Sequence, residues 1–107
     1  MDEAQRHLNA AEIERRLLAA LCARALDRKT RAAILEQLAV HKFAHPYHEI
    51  IFQALVKMPR ASGEHIRETL GARLTRLGFP DIDVQRIFEL APPSPREISA
   101  LLRQLGH

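Results

Sequence analysis

Three histidines, His41, His45 and His48, lie close together in the sequence. Imidazole nitrogens bind zinc and nickel, so three such side chains on a turn that folds back would form a metal site. His48 falls in the first turn of a predicted helix, whereas His41 and His45 precede that helix. Helix geometry does not bring all three rings to one point, and we therefore predict that the protein holds no metal and no cofactor.

The other residues capable of catalysis have structural interpretations. Glu12, Glu14, Glu36 and Glu49 could supply an acid and a base, yet each also fits a helix cap or a solvated helix face. Cys22 is the single cysteine, lies among alanines and is expected to be a small core or boundary residue. The glycines are isolated from one another, so there is no P-loop, and no zinc-protease or hydrolase motif occurs. We predict that the protein is not an enzyme.

Length and composition indicate a single folded unit. The chain has 107 residues, of which 47% are hydrophobic and 27% charged, as in globular domains. We expect one helical domain over residues 1–107 with its core at about 10–105. No apolar run is long enough to span a membrane and no signal peptide is evident, which predicts a cytoplasmic protein without membrane contact.

The basic residues give a second type of candidate site. Lys and Arg number 16 against 13 Asp and Glu, a net charge of +3. The densest basic stretch contains Arg24, Arg28, Lys29 and Arg31, which we consider as nucleic-acid contacts. The alternative is a solvated helix end and loop. This modest charge predicts at most weak DNA binding.

Apolar residues recur at helical spacing in six segments, and nothing alternates with the period of a strand. Capping signals or prolines mark most helix starts. The predicted helices are about Ala10–Leu26, Thr30–Val40, Pro46 to the residue before Pro59, Ser62 to Gly78, a short helix capped by Asp81, and Ser94 to Leu105. The third helix, apolar around much of its circumference, is the candidate central helix. These features predict an all-α, compact orthogonal bundle of about six helices, the last two forming a helical hairpin.

The fourth predicted helix is amphipathic. Arg67, Arg73 and Arg76 lie off its apolar stripe and are expected to face water. Gly71 lies within the helix and is expected to weaken it slightly.

One segment resembles a known family. Residues 43–55, with Phe43, Pro46, His48, Ile51 and Phe52, match the pattern typical of the N-terminal domain of DnaB-type replicative DNA helicases. Two further stretches are similar to that domain, one at residues 88–98 and one at residues 14–18. The helicase-binding C-terminal domain of bacterial primases resembles the same helical bundle.

The resemblance implies a non-catalytic protein-interaction module of DNA replication that binds primase, helicase, a helicase loader or a second copy of itself. The ATPase domain is absent from the sequence, so the resemblance implies no unwinding activity. An apolar groove would receive a partner helix. The candidate partner-binding residues are Phe52, Val56, Phe79 and Phe88, whose exposure would favour this function and whose burial would weaken it.

Overall fold

The computed structural model describes residues 9–24, 26–58 and 62–105, and these form an all-α bundle. Its helices are α1 (Ala10–Leu21), α2 (Arg28–Ala39), α3 (Pro46–Val56), α4 (Gly63–Arg76), α5 (Gln85–Phe88) and α6 (Pro95–Leu105). The predicted number and order of helices are confirmed.

Local capping signals account for most of the helix starts. The Asn9 side chain accepts a hydrogen bond from the Glu12 amide at 2.8 Å, and the Ser62 hydroxyl accepts one from the His65 amide at 3.1 Å. Ser94 and Glu97 form the predicted capping box ahead of α6, with bonds of 2.7 and 3.2 Å. These three caps were predicted from the sequence.

Two helix starts differ from the prediction. Asp27 caps α2 by accepting the Thr30 amide at 2.7 Å, so this helix begins at Arg28 and not at Thr30. Asp81 does not cap the fifth helix, which begins later, at Gln85. Asp83 instead accepts the Gln85 amide at 3.1 Å. At each start, more than one nearby residue could act as the cap, and sequence spacing alone does not show which one does.

Helix α1 ends at Leu21, earlier than the predicted Leu26, because other elements cap its last carbonyls. The Arg31 guanidinium donates to the Leu21 carbonyl at 3.0 Å, and Arg67 Nε donates to the Cys22 carbonyl at 3.1 Å. Arg67 also donates to the Phe88 carbonyl at 3.3 Å and lies over that ring. The expectation that Arg67 faces water is therefore wrong.

The central helix of the bundle is α1 and not α3. Helix α1 packs against α2, α3, α5 and α6, whereas α3 packs mainly against α1 and α4. Five consecutive residues of α1, Leu17 to Leu21, are almost fully buried. One face of α3 is consequently left at the surface, although the helix is apolar around much of its circumference.

The predicted hairpin of the last two helices is a loose one. Helix α5 is a single turn, and both α5 and α6 pack on α1 more than on each other. In the described part of the chain, no helix has the length and apolar character needed to cross a bilayer.

Candidate functional site

Glu14, on helix α1, is a carboxylate with no exposed surface. It accepts hydrogen bonds from two backbone amides, Ala44 at 2.6 Å and His45 at 3.3 Å. It also contacts His41 Nε2 at 2.6 Å and His48 Nδ1 at 2.9 Å. We call Glu14, His41 and His48 the Glu14 cluster. It ties α1 to the segment that leads into α3.

The hydrogen bonds of the Glu14 cluster depend on the charge of Glu14. An ionised carboxylate only accepts hydrogen bonds, so the imidazoles donate to it, His41 through Nε2 and His48 through Nδ1. Burial raises the pKa of Glu14, but the hydrogen bonds from Ala44, His41, His48 and His45 outweigh it and leave the pKa below its ordinary value. A carboxylate is thus kept charged inside the protein.

His48 is held neutral in the same cluster. Burial lowers its pKa, and the hydrogen bond to Glu14, which raises it, is too weak to reverse the shift. The positive charge of Arg15 nearby lowers the pKa further. The pair is therefore a neutral imidazole donating to a carboxylate, and not two opposite charges.

His41, His45 and His48 each make a hydrogen bond within the protein. His41 and His48 meet at Glu14, while His45 caps α3 by accepting the Tyr47 amide on Nδ1 at 3.1 Å. Across residues 9–24, 26–58 and 62–105, no set of three His, Cys, Asp or Glu side chains is arranged to hold a metal ion. The arrangement suits a structural hub that orients the start of α3.

From the sequence, Glu14 is interpreted as part of a helix cap or of a solvated helix face, and the structure differs. Glu14 lies three and four residues before Leu17 and Leu18, on the buried side of α1. An acid on an apolar helix face is the signal that could have identified it. Its partners lie about 30 residues away, and spacing alone does not reveal them.

An open cleft of about 480 Å³ lies beside the Glu14 cluster, between α1, α3 and the segment before α5. His45, Tyr47 and Arg86 are among its lining residues. Arg86 pairs with Asp83 across 3.8 Å in an exposed ion pair. The lining contains both acidic and basic side chains, so it favours no single ligand charge.

Cys22 is a core residue, as predicted. It is fully buried, and burial raises the pKa of its thiol to about 12. The thiol therefore stays protonated at physiological pH and is a poor nucleophile.

The four candidate partner-binding residues divide into two pairs. Phe52 is 3% exposed and lies against Phe43, and this burial weakens its assignment as a partner contact. Phe88 is half-buried beneath Arg67. Val56 and Phe79, in contrast, are 43% and 39% exposed. Only this second pair is available at the surface.

A second cavity, the α3–α4 groove, lies near Phe79. It has a volume of about 370 Å³ and is lined by Glu49, Ile50, Gln53, Lys57, Leu77 and Phe79. Its α3 wall is a mixed polar and apolar stripe, and its opposite wall is the C-terminal end of α4, where Leu77 is 48% exposed. The groove presents large apolar side chains to solvent with one charged residue at each end of its α3 wall.

The candidate nucleic-acid contacts are only partly available. Arg24, Arg28 and Lys29 are exposed. The Arg31 guanidinium, which caps the Leu21 carbonyl, is partly buried and has a structural role. Asp27 lies within this stretch as the cap of α2 and reduces its positive charge.

Comparisons with protein families, with curated proteins and with solved structures find no match to this chain.

Proposed function

We propose that this chain is a non-catalytic protein-interaction module whose binding surface is the α3–α4 groove. Its role would be the one that its resemblance to the N-terminal domain of DnaB-type helicases implies: contact with primase, helicase or a helicase loader during DNA replication. The observation that carries the proposal is the exposure of Leu77 and Phe79 at the edge of an apolar groove.

The exposure of Leu77 and Phe79 to water is energetically unfavourable. Large apolar side chains gathered at one concave place gain free energy when a partner removes them from water, on the order of 25 cal/mol per Å² of apolar surface. A groove between two helices suits the apolar stripe of an amphipathic helix. Glu14 is buried and bonded to both histidines of the cluster, which argues against catalysis there.

Light scattering of the protein mixed with the primase or the helicase of its own source tests this proposal. We expect a defined mixed complex, and we expect Phe79→Ser to weaken it at least about tenfold by removing an apolar contact of roughly 1.5–3 kcal/mol. Val40→Ser is the matched control, since Val40 is 86% exposed and is not a groove residue.

A complex that tolerates Phe79→Ser as well as Val40→Ser would exclude the groove as the binding surface. Absence of a complex with either protein would remove the replication role. DNA binding through Arg28 and Lys29 would then be the alternative, recognised by an affinity that falls steeply with salt and is lost in the Arg28→Gln, Lys29→Gln variant.

A further inference from the structure

The outward face of α3 has a self-complementary pattern centred on Gln53. Glu49 and Lys57 each lie four residues from Gln53, on opposite sides of it, and Ile50 and Val56 each lie three residues away. At about 100° per residue, these four positions flank Gln53 symmetrically around the helix, about 40° and 60° to each side. All five residues belong to the exposed or half-buried surface of α3 and its C-cap.

We propose that the occupant of the α3–α4 groove is a second copy of this chain, with the two α3 helices packed antiparallel about a two-fold axis at Gln53. In that arrangement Glu49 of each copy is level with Lys57 of the other copy. Ile50 is likewise level with Val56 of the other copy. This inference rests on the proposal that the groove is a binding surface.

Charge decides the direction of the pairing. A parallel pair in register would place Glu49 beside Glu49 and Lys57 beside Lys57, and like charges repel across an interface. The antiparallel pair places opposite charges together at both ends. A two-fold axis also makes each contact occur twice, as in most symmetric dimers.

The apolar residues of the groove and the exposed Val56 on α3 supply the attraction. Val56 is 43% exposed, and Leu77 and Phe79 form the opposite wall of the groove. A helix seated along α3 would cover part of this apolar surface, and the two Gln53 amides would lie at the centre, where they can hydrogen-bond to each other. An 11-residue helix is about 16 Å long, so the interface is small. We expect a weak dimer with a Kd on the order of 10–100 µM.

Sedimentation equilibrium of the full chain between about 5 and 500 µM tests the dimer, a range that brackets the expected Kd. Glu49→Lys creates two Lys–Lys pairs in its own dimer, and Lys57→Glu creates two Glu–Glu pairs. Each variant alone is expected to raise the Kd at least about tenfold. An equimolar mixture of the two variants restores opposite charges at both ends, so the mixture is expected to dimerise as the wild type does. The double variant Glu49→Lys, Lys57→Glu is expected to dimerise in the same way.

Glu36→Lys is the matched control. Glu36 is exposed on α2, so this substitution makes the same charge change outside the groove. Circular dichroism verifies that all variants keep their helical content. The inference would be overturned if the wild type remained monomeric at about 500 µM, a concentration well above the expected Kd. A dimer that tolerates Glu49→Lys as well as Glu36→Lys would do the same.

The two proposals can fail separately. A monomeric protein that binds primase or helicase in a manner sensitive to Phe79→Ser would retain the proposed function and eliminate the second copy as the occupant. A dimer with the charge-swap behaviour but no complex with either replication protein would retain the self-association and remove the replication role.

Discussion

The two faces of α3 belong to one helix but have different physical characters. On the inner face, His48 donates to a buried carboxylate, and Phe52 and Leu55 are enclosed by the core. On the outer face, Gln53 and Val56 are exposed to solvent. The inner face holds the helix in place, whereas the outer face is left exposed to solvent.

The contrast is sharpest in the polar groups. A buried carboxylate is tolerated only when its hydrogen-bonding capacity is filled, and Glu14 has four donors around it. Charged residues at the surface, such as Glu49 and Lys57, can hydrogen-bond to water instead, so they do not need a fixed partner within the protein. Substitutions on the inner face should therefore change stability, and substitutions on the outer face should change association.

The largest effect is expected for Glu14→Ala. The substitution leaves the amides of Ala44 and His45 and the two imidazoles without their acceptor, and we expect a loss of about 4 kcal/mol in the free energy of unfolding. Urea denaturation measures it. Glu49→Ala, the corresponding loss of an acid on the outer face, should change stability by less than about 0.5 kcal/mol. Equal effects of the two substitutions would contradict the division between the faces.

A pair of apolar substitutions on α3 tests the same division. Phe52→Ala opens a cavity in the core and is expected to cost about 3 kcal/mol. Val56→Ala removes methyl groups that already contact water and should cost less than about 0.5 kcal/mol. Thermal and urea unfolding of the two variants should differ accordingly. A large loss for Val56→Ala would mean that this side chain is part of the core.

Gly63→Ala tests how α4, which forms the second wall of the groove, is placed. A Cβ atom at Gly63 would clash with the Ala23 carbonyl oxygen, so the start of α4 must move away from the end of α1. We expect a loss of about 2 kcal/mol. Gly71→Ala is the internal control, because its Cβ would meet only Val84 at 3.8 Å, and it is expected to stabilise the helix by up to about 1 kcal/mol. A neutral Gly63→Ala would show that the two elements are not in close contact.

The smallest effect is expected from mild acid. The pKa of His48 in the folded protein lies below its ordinary value of 6.5, so the unfolded chain binds the proton more readily and stability falls as the pH drops below about 6.5. The pKa of Glu14 is also lowered, which adds a further loss below about 4.5. His48→Asn places an amide donor near the Nδ1 position without a titrating group and should flatten the upper part of this dependence. His41, His45 and Arg15 remain in that variant as the neighbouring charged or titratable groups. An unchanged pH profile would show that His48 is not the group responsible.

The sequence by itself determined the local architecture. Asn9, Ser62 and Ser94 marked helix starts, and Pro46 marked the start of α3, because capping and proline geometry depend on neighbours within a few residues. Helical spacing of apolar residues predicted six helices and no strand for the same reason. The resemblance to the helicase domain remains a prediction.

Only the tertiary structure decided which residues meet. Glu14 contacts residues about 30 positions away, and Arg67 reaches the Cys22 carbonyl 45 positions away, distances over which sequence spacing carries no geometric information. Phe52 and Val56 are both apolar and lie one turn apart on α3, yet one is in the core and the other in water. That difference depends on where α1 and α4 pack, because a helix with apolar residues around much of its circumference has no preferred side until its neighbours occupy one.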